Sequence, residues 1–143
     1  MSAMLIRICT AKIHRATVTK ADLDYVGSVT IDKLLLEKSG IKERQMVDIN
    51  NLSNGVFWQT YVMPGGRGGG TICLNGPPAR HFQPGDKVII LGEAYVEPCD
   101  SEKHDLVVVL IEEPKEKRRK KNQDFKVQIN GKTTETWVNG KLK

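Results

Sequence analysis

At 143 residues, 39% hydrophobic and 27% charged, the chain has the size and make-up of a single soluble globular domain. No apolar run approaches the roughly 20 residues of a membrane-spanning helix, and Met1 to Arg7 lacks the basic, apolar and small-residue succession of an export signal, so a cytoplasmic protein with no membrane partner is expected. The formal charge of +5 is uneven: residues 114–143 hold ten Lys and Arg against three Asp and Glu, leaving residues 1–113 at −2, so the basicity belongs to the C-terminal stretch.

Leu5 to Cys9 and Lys12 to Thr19 alternate apolar and polar residues and predict two half-buried strands, and Ser28 to Ile31 predicts a third. Asp32 is a suitable helix N-cap, Leu34, Leu35 and Leu36 offer an apolar face, and Gly40 is a natural stop, so a short helix is expected there. Met46 to Asn50 and Val56 to Met63 flank Ser53-Asn54-Gly55, a hairpin signal. Pro64 to Gly70 contains five glycines and predicts a flexible loop. It is no phosphate loop, because Thr71-Ile72 follows Gly70 where Lys and then Ser or Thr would be required.

Thr71 to Leu74 predicts a short strand. Gln83 to Asp86 makes a turn before a strand over Lys87 to Tyr95, and Leu106 to Glu112 is a further apolar run. Glu113 to Gln123 reads as a solvated linker, and the alternation of Phe125, Val127 and Ile129 with later Asn-Gly pairs allows a small hairpin. The fold class expected from these elements is a mainly β, compact barrel with short helices, over residues 1–113, followed by a basic C-terminal extension over residues 114–143. Cys9, Cys73 and Cys99 are odd in number and have no ligand spacing, which argues against a disulfide framework and a metal site. Cys9 and Cys73 are expected as buried, reduced, structural thiols.

The run Lys12-Ile13-His14-Arg15-Ala16-Thr17-Val18-Thr19, then Ala21-Asp22-Leu23-Asp24-Tyr25-Val26-Gly27-Ser28-Val29-Thr30-Ile31-Asp32, strongly resembles the amino-terminal signature of the aspartate 1-decarboxylase family. Asn54-Gly55, Thr60-Tyr61, Asn75-Gly76 and Gly85-Asp86 follow in that family's order, and the resemblance covers roughly residues 4 to 112. It implies a double-psi β-barrel, assembled as a homotetramer with sites between subunits. It also implies cleavage at Gly27-Ser28 that converts Ser28 into a covalent pyruvoyl group, with no pyridoxal phosphate and no metal. Whether cleavage is spontaneous or needs a maturation factor stays open. The family's role is conversion of aspartate to β-alanine for pantothenate and coenzyme A synthesis.

The chemistry suits the residue types. Glycine has no side chain, so the Ser28 hydroxyl can approach the preceding carbonyl in a strained conformation. By resemblance, Thr60 donates to the oxyanion formed on Gly27, the pyruvoyl carbonyl takes the substrate amine as a Schiff base, and Tyr61 returns the proton. Lys12 faces the substrate carboxylates, Tyr25, His14 and Asn75 line or support the pocket, and Asn75-Gly76 presents backbone groups. Singly, each has an ordinary structural reading: a solvated Lys, a packing Tyr, a turn-bracing Asp22. Their joint spacing around Gly27-Ser28 decides for function.

Two departures bear on the substrate. Phe57 stands where the family carries a carboxylate-binding Arg, a loss worth roughly 1.5–3 kcal/mol. Pro77 and Pro78 replace small residues after Asn75-Gly76 and supply no backbone N–H. Three functions are therefore weighed: an aspartate decarboxylase, the same chemistry on a less acidic amino acid, and an inactive barrel whose basic Lys115 to Lys121 run binds nucleic acid or an acidic partner. For that run a solvated linker is the preferred reading.

Overall fold

A computed structural model describes residues 4–113 and 123–143. The alternating amino terminus forms one long strand, β1 (Ile6–Thr17), instead of the two expected. Its register shifts between Cys9 and Ala11 and between His14 and Ala16, and Arg15 takes a φ of 64° at the second shift. The extra residue explains how Ile13 and Ala16, three apart, both point inward with no exposure, which strict alternation forbids. Cys9 corrects the sequence expectation: it is exposed, while Cys73 is buried, and all three cysteines are free.

The remaining strands are β2 (Lys20–Asp22), β3 (Ser28–Asp32), β4 (Met46–Asn51), β5 (Phe57–Gly65), β6 (Ile72–Asn75), β7 (Lys87–Val96), β8 (Val107–Glu112), β9 (Asp124–Ile129), β10 (Lys132–Val138) and β11 (Lys141–Leu142). They are ordered β11-β10-β9-β8-β1-β7-β4-β5-β3-β6-β2. Three pairings are parallel, β1 with β8, β2 with β6 and β3 with β5, and the others antiparallel. The result is the mainly β, double-psi barrel architecture expected, filled by Ile13, Val29, Ile31, Val47, Ile49, Val62, Leu74 and Ile90.

Helix α1 (Lys33–Ser39) begins and ends as its sequence predicts. The Asp32 carboxylate accepts from the Leu34 N–H at 2.8 Å, and Gly40, at a φ of 81°, donates to the Leu36 carbonyl. That same carboxylate also accepts from the backbone N–H groups of Gly68 at 2.8 Å and Gly70 at 2.7 Å, and Arg67 pairs with Glu37 at 3.1 Å. The glycine-rich segment is therefore pinned to the start of α1 rather than free, as the composition suggested. Short 3₁₀ turns at Pro77–Arg80 and Pro98–Lys103 were not foreseen, nor was β2.

The carboxy-terminal hairpin β9–β10 extends the sheet beyond β8 and joins the core through Phe125, Val127 and Trp137. Phe125 and Trp137 stack with centroids 5.6 Å apart, and Lys38 lies 4.9 Å from the Trp137 ring centroid while pairing with Glu135 at 3.1 Å. Trp137→Ala should lower the unfolding free energy by about 3 kcal/mol, the low end for a buried aromatic because one edge stays wet. An unchanged urea midpoint would show the hairpin to be a passive appendage. Most of the expected linker, including Lys115 to Lys121, lies outside the described residues.

Candidate active site

Ser28 opens β3 and is 1% exposed. Antiparallel pairing sets it opposite Asn75, itself buried, and sets Thr30 opposite Cys73. Side chains two apart on a strand share a face, so Ser28, Thr30, Cys73 and Asn75 meet. Asn75 Nδ2 donates to Ser28 Oγ and to Thr30 Oγ1, both at 3.0 Å, and Cys73 Sγ–H donates to Asn75 Oδ1 at 3.1 Å. Sequence reasoning named Ser28 and Asn75 and missed Thr30 and Cys73, although a step of two along each strand would have found them.

The other side of the scissile bond is exposed. Leu23, Tyr25 and Val26 face solvent, Tyr25 being 58% exposed, while Asp22 braces the turn by accepting from the Asp24 N–H at 3.3 Å. Gly76 closes over this segment: its N–H donates to the Asp22 carbonyl at 2.8 Å, and a Cβ placed on it would stand 3.0 Å from Gly27 Cα and 3.2 Å from the Tyr25 carbonyl oxygen. Gly27 is thus held by backbone contact at the boundary between an exposed loop and a buried serine.

Parallel pairing of β3 with β5 matches Val29 to Val62. Carried back along the ladder, this register sets Ser28 beside Tyr61 and Gly27 beside Thr60. Tyr61 is half-buried on the Ser28 face, whereas Thr60, 8% exposed, turns to the opposite face with Trp58 and Val62. Thr60→Ala, which removes the hydroxyl of the residue that this register sets beside Gly27, should slow chain cleavage by about 100-fold, the scale of losing one oxyanion donor. Normal processing of that variant, seen by intact mass, would remove Thr60 from the mechanism.

Cross-strand pairing also orders the remaining candidates. His14 pairs with Ile89, Ile89 with Asn50, and Asn50 with Phe57; Lys12 pairs with Leu91, Leu91 with Asp48, and Asp48 with Gln59. Lys12, His14, Phe57, Tyr61 and Ser28 therefore share the face opposite the barrel core. Phe57 is 57% exposed on it and Met46, opposite Tyr61, is also exposed. Four inter-strand steps separate β1 from β3, about 19 Å along the sheet at ~4.8 Å each. Among the described residues no hydrogen bond or ion pair joins Lys12 or His14 to the Ser28 cluster. Hydrogen bonds and backbone contact bring Gly27, Ser28, Asn75 and Gly76 together, the β3–β5 register sets Thr60 and Tyr61 on the neighbouring strand, and Lys12 and His14 stand apart.

Burial, with Lys12 and Arg15 nearby, pushes the His14 imidazole below its ordinary value, so it is neutral at pH 7. Its Nδ1 is buried and has no hydrogen-bond partner among the described residues. At the centre of the same face Glu93 is pushed up, first by a hydrogen bond shared with Asp48 and then by burial, despite Arg7 at 3.0 Å. A neutral imidazole beside a lysine suits recognition of an anionic group through one donor and one charge.

A mainly β barrel here holds a buried serine behind a backbone-clamped glycine, the setting of a small enzyme site. The family model described as Aspartate decarboxylase matches residues 4–118. Proteins named aspartate 1-decarboxylase from Clostridium beijerinckii and Lactiplantibacillus plantarum are 50% identical over 108 residues and 51% identical over 110, covering 76% and 77% of this chain and 87% and 85% of their own lengths. One from Ruminiclostridium cellulolyticum is 45% identical over 126 residues, 88% of this chain and 98% of its own. The chain belongs to the aspartate decarboxylase family.

Proposed function

We propose that this chain cuts itself between Gly27 and Ser28 and thereby becomes a pyruvoyl-dependent enzyme that converts L-aspartate to β-alanine and CO₂. The observation that carries the reading is the buried Ser28 hydroxyl, held at 3.0 Å by the Asn75 amide directly after a glycine gripped by Gly76. Ser28 Oγ adds to the Gly27 carbonyl carbon, the C–N bond breaks, and the hydroxyl proton passes to the departing nitrogen, leaving an ester. Loss of the Ser28 Cα proton with departure of the Gly27 carboxylate gives a dehydroalanine, which water converts to a ketone and ammonia. Thr60 donates to the oxyanion in the first step.

In the group so formed the ketone oxygen stands on the former Ser28 Cα in place of the nitrogen, while Cβ becomes a methyl, and Asn75 Nδ2, 3.0 Å from Ser28 Oγ, is the amide donor beside it. A pyruvoyl group supplies the electron sink that lets a Cα–carboxylate bond break. Tyr61, beside Ser28, delivers the proton that replaces CO₂. Lys12 and neutral His14 take a substrate carboxylate, Tyr25 and Phe57 wall the pocket, and Asn75-Gly76 supports its floor.

The ~19 Å between β1 and β3 along one sheet favours a site completed by Lys12 and His14 of a neighbouring chain, and hence a homotetramer. No helix among the described residues is long and apolar enough to cross a membrane. The family relatives lend no support to a less acidic substrate or to an inactive nucleic-acid-binding scaffold, despite Phe57, Pro77 and Pro78.

Intact mass of the purified protein tests the reading directly. Two fragments, residues 1–27 and a ketone-capped remainder, are expected, with Ser28→Ala remaining whole. The mature protein, given an equimolar amino-acid mixture, should consume aspartate as CO₂ appears. An intact chain, or preferential loss of another amino acid, overturns the corresponding half of the proposal.

A further inference from the structure

The side-chain amide of Asn75 has nearly the same shape in its two orientations, and a half-turn exchanges its donor and acceptor ends at little steric cost. Its partners settle which end faces Ser28. The hydroxyls of Ser28 and Thr30 each donate and accept, so neither discriminates. The Cys73 thiol does discriminate: it carries one proton to give, while its sulfur is a weak acceptor. It donates to Asn75 Oδ1 at 3.1 Å, and the opposite end, Nδ2, then reaches both hydroxyls at 3.0 Å. Cys73 is buried, on the same face of β6 as Asn75 and directly across from Thr30. Desolvation pushes its thiol up, which keeps the donor proton in place.

The orientation matters for the attack. With Nδ2 facing it, Ser28 Oγ accepts a hydrogen bond that steadies the negative charge developing as its proton leaves, and the proton points elsewhere. With Oδ1 facing it, the amide oxygen would hold the hydroxyl proton without being basic enough to take it. We infer that Cys73 is a positioning residue for self-cleavage: by donating to Asn75 Oδ1 it fixes the amide with Nδ2 aimed at Ser28 Oγ. This rests on the proposed cleavage at Gly27-Ser28 and adds to it a residue that touches neither the scissile peptide nor the serine.

The test follows cleavage of freshly prepared full-length chain by intact mass over time. Cys73→Val, close in volume but without a donor, should slow cleavage about tenfold, and Cys73→Ala comparably, the scale of losing a modest hydrogen bond. Cys73→Ser, which restores a donor, should stay within about threefold of wild type. Combined with Asn75→Ala, Cys73→Val should add no further slowing, because the amide it orients is gone. Equal slowing in the Ser and Ala variants, full additivity with Asn75→Ala, or a wild-type rate for Cys73→Val would overturn the inference while leaving self-cleavage standing. A wild-type chain that never cuts overturns the cleavage proposal itself, and this one with it.

Discussion

Gly76→Ala should slow the cutting of the chain markedly. Gly76 has φ 80° and ψ −142°, a region reserved in practice for glycine and costing about 1–3 kcal/mol for any other residue. Conformation is the smaller part of the effect. An added Cβ meets Gly27 Cα at 3.0 Å, Tyr25 O at 3.2 Å and Gly27 N at 3.3 Å, all backbone atoms that cannot rotate away. Gly76 belongs to the end of a buried strand, whereas residues 23–26 are exposed, so the scissile segment gives way. The scissile backbone must give by a few tenths of an ångström, and since a 1 Å misplacement of a reacting group costs about 100-fold, cleavage should slow by about tenfold or more. Intact mass over time checks it, with a thermal melt to show the barrel still folded. Wild-type cleavage in a folded Gly76→Ala protein would remove the backbone clamp from the mechanism.

Tyr61→Phe should separate the two activities. The β3–β5 register, carried back from Val29–Val62, sets Tyr61 beside Ser28 on its face and Thr60 beside Gly27 on the other face of β5. Losing the phenol should therefore leave processing intact and lower the rate of CO₂ release from aspartate by about 10²- to 10⁴-fold, the usual contribution of a positioned acid. The ring remains, so packing and stability should change little. Mature Tyr61→Phe protein with undiminished turnover would assign the proton to another donor.

The contrast between these variants reflects strand alternation. Thr60 and Tyr61 are adjacent in sequence yet occupy opposite faces of β5, Thr60 buried and Tyr61 half-buried. The Thr-Tyr pair and its two expected roles were legible through the family resemblance; how each stands relative to Gly27 and Ser28 was not, because that depends on the parallel register of β3 against β5. Likewise Asn75-Gly76 stood out as a motif. Only the fold revealed that its two members make different contacts, Asn75 through its amide to Ser28 Oγ and Gly76 through close backbone approach to Gly27.

Errors in the sequence reading share one cause. Cys9 was expected inside because its neighbours alternate, but the register shift between Cys9 and Ala11 breaks the alternation and leaves it exposed. The five-glycine stretch was expected to be loose, yet two of its N–H groups are bound by Asp32, a residue 36 and 38 positions away. Bulges and distant carboxylates leave no periodic trace.

By itself the sequence determined the mainly β class, the helix and its caps, the Gly27-Ser28 junction and the identity of nearly every residue gathered around it. Those features are local: they follow from alternation, capping chemistry and motif spacing over a few residues. The tertiary structure alone decided which of them meet. Pairing between β3 and β6, 45 to 47 residues apart, brings Cys73, Asn75, Thr30 and Ser28 into one hydrogen-bonded group, and the strand order keeps Lys12 and His14 four strands away. Contacts of that kind depend on register between distant segments, and a one-residue slip would turn every one of these side chains to the other face.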